Sequence, residues 1–262
     1  MHMLVIAVTL MIAVGSAQAQ ELANELAKER APPIDAMIST AMKAAIEELA
    51  PPFERASGHT LRVVYGPSGG IARRFTGGEA ADLIVVDSKV LDELIKQGKV
   101  APGRTDVART GIGIAVRKGA PKPDVSSVDA LRSALLAAKS IGHTAPAGGG
   151  VTAGHIERVL EKLGIAAQVA PKIKLAAGGP DGRVSTLVSS GEAEIGLQLV
   201  SELMSNPDVE VIGLLPAELQ LIATISAGIS TAARQPDAAK AFIRHLTAPA
   251  AMAIYKTKGL AL

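Results

Sequence analysis

The chain has 262 residues, close to half of them apolar, with a formal net charge of +2, aromatic residues at 2% and no cysteine. That size and apolar content suffice for one or two hydrophobic cores, while interspersed charge and scarce rings exclude a basic or stacking surface for nucleic acid and argue against a ring-lined sugar cleft. The absence of cysteine excludes disulfides, thiolate metal sites, lipoprotein attachment and a thiol nucleophile.

In chain order, "MHMLVIAVTLMIAVGSAQAQ" comes first. The apolar run Met3 to Val14 is too short to span a membrane, and Ala17-Gln18-Ala19 supplies a small-residue cleavage pattern before Gln20. Residues 1–19 are expected to be a signal peptide; they contain no Asp, Glu, Lys or Arg. The polar stretch "QELANELAKERAPP" (20–33) is expected as a short helix or tether, ended by Pro32-Pro33. From Ile34 onward strand-like and helix-like segments alternate. Strands are predicted in "LRVVY" (61–65), "DLIVV" (82–86), "GIGIAVR" (111–117), "EIGLQLV" (194–200), "VEVIGLL" (209–215) and "LQLIATISAGI" (219–229).

Helical stripes fall between them: Met42, Ile46 and Leu49; Val90, Leu91, Leu94 and Ile95, closed by Gly98; Ile156, Val159, Leu160 and Leu163, closed by Gly164. Shorter stripes are Val184, Leu187 and Val188, and Ala241, Phe242 and Leu246. Nearly all these apolar residues are expected in core packing. Alternating strands and helices predict a parallel α/β architecture, and the Pro-rich "KGAPKPDVSS" (118–127) puts a lobe boundary near residues 111–120.

Small residues cluster where helices begin. Gly66-Pro67-Ser68-Gly69-Gly70 joins a strand to a helix, where glycines let backbone N–H groups approach a ligand and the helix start favours an anion. Ser39 and Thr40 precede a second helix; Gly148, Gly149, Gly150 and Thr152 precede a third. Gly178, Gly179, Asp181 and Gly182 precede a fourth, with Arg183 in its first turn. Two of these starts precede the boundary and two follow it, describing an interlobe cleft of N–H and OH donors at the carboxyl ends of strands. Arg183 is the favoured cationic ligand; Arg73 and Arg74, deeper in their helix, are expected on its solvated face. No nucleotide motif is present, since the turn is neither G-x-x-x-x-G-K-[ST] nor G-x-G-x-x-G.

Metal binding is not expected. His143 and His155 are too far apart for one helix face and no carboxylate stands beside them at ligand spacing, while His59 and His245 read as surface residues. "GPSGG" matches G-x-S-x-G at Gly66, Ser68 and Gly70, and Asp208 followed by His245 completes a hydrolase order in form only.

The stretch from "AMKAAIEELAPPFERASGHTLRVVYGPSGGIARRF" through "DLIVVDSKVLDELIKQGKV", "GIGIAVRKGAP", "GHIERVLEKLGI", "LVSSGEAEIGLQLVSEL", "PAELQ" and "QPDAAKAFIRHLTAPAAMAIYKTKGL" resembles the periplasmic molybdate-binding protein family. These are type II solute-binding proteins of ABC importers. The resemblance implies two α/β lobes, each a mainly parallel sheet flanked by helices, joined by crossing strands and closing over a ligand. It places lobe I in 34–112, lobe II in 113–200 and a return segment in 201–262. It also implies a permease in the inner membrane as partner, a periplasmic location, a monomer and no cofactor. Oxyanion binders of the family use serine hydroxyls, backbone N–H groups and a tyrosine hydroxyl. Carried over by position, one serine falls at Ser68, whereas the other aligns with Ala41 and the tyrosine with Leu199. Ser39, Thr40 and Gln198 are the neighbouring polar groups. The expected ligand-binding set is therefore Ser39, Thr40, Gly66, Ser68, Gly69, Gly149, Thr152, Arg183 and Gln198. The expected function is capture of a small anion, either a molybdate-like oxyanion or a small organic acid. The alternatives are an isomerase or hydrolase on the same scaffold, or a sensor domain presenting its closed form to a partner.

Overall fold

The structure, a computed structural model, describes residues 31–179 and 183–261. The expected signal peptide, residues 20–30 of the lead, and Asp181 and Gly182 of the last glycine turn lie outside them. The described chain opens with β1 (Ala31–Ser39), α1 (Lys43–Ser57), β2 (His59–Gly66), α2 (Ser68–Thr76), β3 (Leu83–Asp87) and α3 (Ser88–Lys96). The long β4 (Thr105–Arg117) follows, then α4 (Val128–Ala137), β5 (Ile141–Thr144), α5 (Ala153–Lys162) and α6 (Ala166–Val169). Next come β6 (Ile173–Ala176), α7 (Val184–Ser190), β7 (Ile195–Leu199), α8 (Val200–Leu203) and β8 (Val209–Leu214). β9 (Ile222–Ile229), α9 (Pro236–Leu246) and α10 (Pro249–Thr257) complete the described residues.

Nine strands pair in the order β2-β1-β3-β9-β4-β7-β5-β6, with β8 also on β4. β1 runs parallel to both β2 and β3, and β5 runs parallel to both β6 and β7. In each parallel group the earliest strand is central, so the chain leaves its carboxyl end toward opposite sides and opens a crevice there. The two groups are joined by antiparallel pairings through β9 and β4. β4 changes partners midway: Thr105–Gly111 pairs with β9, and Ile112–Arg117 pairs with β7 and β8. The segment expected to return to the first lobe from residue 201 therefore first adds β8 to the second group, and crosses back only in β9.

The sequence patterns meet their elements for identifiable reasons. β3 and β7 are buried at every position, as continuous apolar runs should be in sheets covered on both faces. Helices α3 and α5 end at Gly98 (φ 67°) and Gly164 (φ 66°), left-handed positions that glycine adopts without a Cβ penalty. Two boundaries differ from expectation. β1 takes in Pro32 and Pro33, which lie at a register irregularity before pairing with β3 begins, so their missing N–H groups interrupt no central ladder. α1 runs through Pro51 and Pro52 to Ser57, held by Phe53, whose ring packs 4.9 Å from that of Phe242 in α9. Burying an aromatic or aliphatic side chain stabilises by about 1.5–3 kcal/mol, enough to offset much of the helix penalty of one proline.

Candidate functional site

The carboxyl ends of β1, β2, β5, β6 and β7 converge on one cavity between the two parallel groups. Its walls lie close together, leaving about 30 Å³ for the centres of water-sized spheres. Ser39, Thr40, Ser68, Thr152, Arg183 and Gln198 of the expected set line it.

On the β1–β2 wall, Ser39 ends β1 and Ser68 begins α2; both are buried. Ser68 Oγ accepts the Asp87 backbone N–H at 3.0 Å and donates to Ser39 Oγ at 3.3 Å. Ser39 Oγ also accepts, at 3.4 Å, from the backbone N–H of Ala41. The chain of donors leaves the Ser39 proton for a ligand, with Ser68 holding Ser39 in place. Ala41, where the family resemblance expects a serine, is buried and offers only that N–H.

The opposite wall is organised around Gln198, at the end of β7. Its Oε1 accepts from Thr152 Oγ1 at 2.7 Å and from the Leu199 N–H at 3.0 Å, while its Nε2 donates to Thr144 Oγ1. Thr152 thus spends its proton on Gln198. What this wall presents is the second Nε2 hydrogen of Gln198 and the hydroxyl of Thr144, a residue the sequence reading missed because β5, with Gly142 and His143, lacks a strand-like pattern. Leu199 lines the cavity where the resemblance expects a tyrosine, and neither tyrosine of the chain does.

Gly66, Gly69 and Gly149 do not line the cavity. A Cβ on Gly66 would meet Ile71 Cδ1 at 3.3 Å, a packing role. The Gly69 N–H donates to the Gly149 carbonyl at 3.0 Å, joining the two walls directly, so it is occupied rather than offered to a ligand. Cβ atoms would destroy this approach: one on Gly69 would sit 2.8 Å from the Gly149 oxygen, and one on Gly149 (φ 74°) 2.9 Å from Arg73 Nη1. Arg73, exposed as expected, therefore also lies against this junction, while Arg74 pairs with Glu79 at 2.6 Å.

Two charged groups reach the cavity. Arg183 donates to Ser205 Oγ at 3.0 Å and, among the described residues, has no carboxylate within ion-pairing distance. Glu202, in the single turn α8, accepts from Thr40 Oγ1 at 2.6 Å through Oε1. Burial raises its carboxyl above the usual glutamate range, opposed by the Thr40 hydrogen bond and by the Arg183 charge. Sequence reasoning missed Glu202; its signal is a lone acid one turn after a buried strand end that already supplies Gln198. No histidine lines the cavity. His245, expected at the surface, is half-buried, stacks on Phe242 and has Nε2 2.9 Å from the Leu49 carbonyl. It thus has a packing role, and Ser68 has a different set of partners.

Two parallel groups with their strand ends facing one cleft define the two-lobed type II periplasmic binding-protein fold. The chain is similar in structure to the periplasmic molybdate-binding protein of Azotobacter vinelandii, with a TM-score of 0.72 and 22% identity over 87% of this chain and 99% of that one. Residues 34–261 match the family described as bacterial extracellular solute-binding protein, and the chain belongs to that family. Membership implies an extracytoplasmic location and a small-ligand receptor that works with an ABC permease. The chain is also similar to aconitate isomerase of Pseudomonas sp., at 32% identity over 222 residues and 82% of each chain. Its identity to the molybdate-binding protein ModA of Azotobacter vinelandii is 26% over 237 residues, 87% of this chain and 90% of the other. Among the described residues no helix is long and apolar enough to cross a membrane.

Proposed function

We propose that this protein is a periplasmic receptor, exported by residues 1–19, that captures a small organic anion of the carboxylate class for an ABC importer of the inner membrane. It acts as a monomer whose lobes close over the ligand through β4 and the returning chain. The observation that carries the carboxylate assignment is Arg183, a cavity guanidinium without a carboxylate partner among the described residues. A guanidinium grips the two-oxygen edge of a carboxylate in a fork of paired N–H donors. Ala41 and Leu199 withhold two hydroxyls of the oxyanion-binding pattern, and Glu202 adds an acidic group to the wall. Ser39, Thr144 and Gln198 supply neutral donors for the remaining ligand oxygens.

A thermal-unfolding screen of the mature protein, read by circular dichroism because the chain has no tryptophan, tests this. A ligand at 100 times its dissociation constant adds about 2.7 kcal/mol, a rise of roughly 5–11 °C for a chain of this size. Such a rise with citrate, tricarballylate or cis-aconitate, and none with molybdate, tungstate or sulfate, is the expected result. The reverse pattern overturns the carboxylate assignment. An isomerase reading on the same scaffold is favoured by one specific observation, the 32% identity to aconitate isomerase.

A further inference from the structure

We propose that the cleft is catalytic as well as receptive, and that Glu202 moves a proton between two carbons of a bound unsaturated polycarboxylate. The inference rests on the carboxylate reading of the cleft. It begins from an oddity of placement: an anion cavity contains a carboxyl group on its own wall. For simple capture, an ionised Glu202 repels the ligand, and hydroxyl or amide groups like those of its neighbours serve better. A carboxyl group is useful there if it takes and returns a proton.

Its geometry suits that task. Thr40 Oγ1 holds Oε1 at 2.6 Å, and among the described residues Oε2 has no hydrogen-bond partner. The side chain stands on α8 directly after β7, anchored by Leu203, which is fully buried. Fixing one oxygen while leaving the other open orients a base toward a bound carbon. Burial raises the Glu202 carboxyl above the usual glutamate range. Arg183 lines the same cavity and would bind a carboxylate adjoining the reacting carbon, stabilising the charge that builds there.

The step balances without oxidant or co-reactant. Ionised Oε2 removes a proton from a CH2 lying between a carboxylate and a C=C bond. The C–H electron pair becomes a new C=C bond, and the pair of the old C=C bond takes a proton from Oε2 at its far carbon, after part of the abstracted protons have exchanged with solvent. The net change is transposition of the double bond, and the rotamer held in the cavity sets its new geometry. Thr40 is a positioning residue in this scheme.

The probe is cis-aconitate in D2O, followed by proton NMR with the mature protein, alongside calorimetric binding of the same compound. Wild-type protein is expected to bind it, to convert it with many turnovers per protein molecule and to exchange substrate C–H for deuterium. Glu202→Gln keeps shape and the Thr40 contact; it is expected to bind within a few-fold of wild type while losing about 10²–10⁴ in rate. Binding by wild type without conversion or exchange overturns the catalytic proposal alone and leaves the receptor reading standing. Conversion by Glu202→Gln at the wild-type rate overturns the role of Glu202. Absence of cis-aconitate binding, with molybdate bound instead, removes the carboxylate reading and this proposal with it.

Discussion

The two walls of the cleft are built by the same topology and do different work. Each uses the carboxyl ends of a parallel group whose earliest strand is central, and each places small polar residues there. The β1–β2 wall is neutral: Ser68 is spent on fixing Ser39, and Ser39 alone keeps a proton to give. The β5–β7 wall closes its own hydrogen bonds around Gln198, then adds Arg183 and Glu202 at its margin. A neutral wall accommodates any small anion. A charged wall chooses among them, so the proposed carboxylate selectivity rests on the second wall.

Removing the cation should separate the walls most sharply. Arg183→Ala is expected to weaken binding of a carboxylate ligand by roughly 10- to 150-fold, the loss of one charged hydrogen-bonding pair of about 1.5–3 kcal/mol, measured by titration calorimetry. Affinity within two-fold of wild type would leave Arg183 a partner of Ser205 only. Next in size is the junction. Gly69→Ala puts a Cβ where only 2.8 Å separates it from the Gly149 oxygen, so the walls must part. Overpacking of this kind costs about 1–3 kcal/mol. The radius of gyration by X-ray scattering should rise and affinity should fall about tenfold; an unchanged radius with full affinity would break the link between this contact and closure.

A third test compares the two serines within one wall. Ser39→Ala should cost about 1 kcal/mol of binding and little stability, because Ser39 is the ligand-facing hydroxyl. Ser68→Ala should instead lower stability by about 1–3 kcal/mol in urea unfolding, since it strands the buried Asp87 N–H. Equal effects of both on binding and none on stability would show that Ser68 faces the ligand directly.

The smallest effect concerns pH. Burial raises the Glu202 carboxyl, so the folded chain holds its proton at pH values where the unfolded chain has released it. Stability from this group is complete below the ordinary glutamate range and declines as pH rises through the raised value. Glu202→Gln removes that decline. Its melting temperature relative to wild type should therefore climb as pH rises above the ordinary glutamate range; a constant difference would indicate an unperturbed carboxyl.

What the sequence revealed and what it withheld follow from the range of the interactions. Helix ends at Gly98 and Gly164 and the small-residue helix starts are local signals, and they led to six residues of one cavity: Ser39, Thr40, Ser68, Thr152, Arg183 and Gln198. The donor budget within that set was not legible. Thr152 spends its hydroxyl on a glutamine 46 positions away, and Gly69 bonds across the cleft to Gly149. Glu202 went unseen because an acid opening a short helix ordinarily faces water. It is enclosed only because Thr40, 162 positions earlier, is brought against it. β5 went unread because its four residues depend on neighbours: a Cβ on Gly142 would lie 2.9 Å from that of Ala193, so close strand packing rather than β-branched composition makes it a strand.

Direct calorimetric titration of wild-type protein, side by side with tricarballylate and molybdate at one pH and salt concentration, tests the claim that the cleft selects carboxylates. Saturable one-to-one binding of tricarballylate and no heat of binding with molybdate are expected. Tight one-to-one binding of molybdate with none of tricarballylate would contradict it.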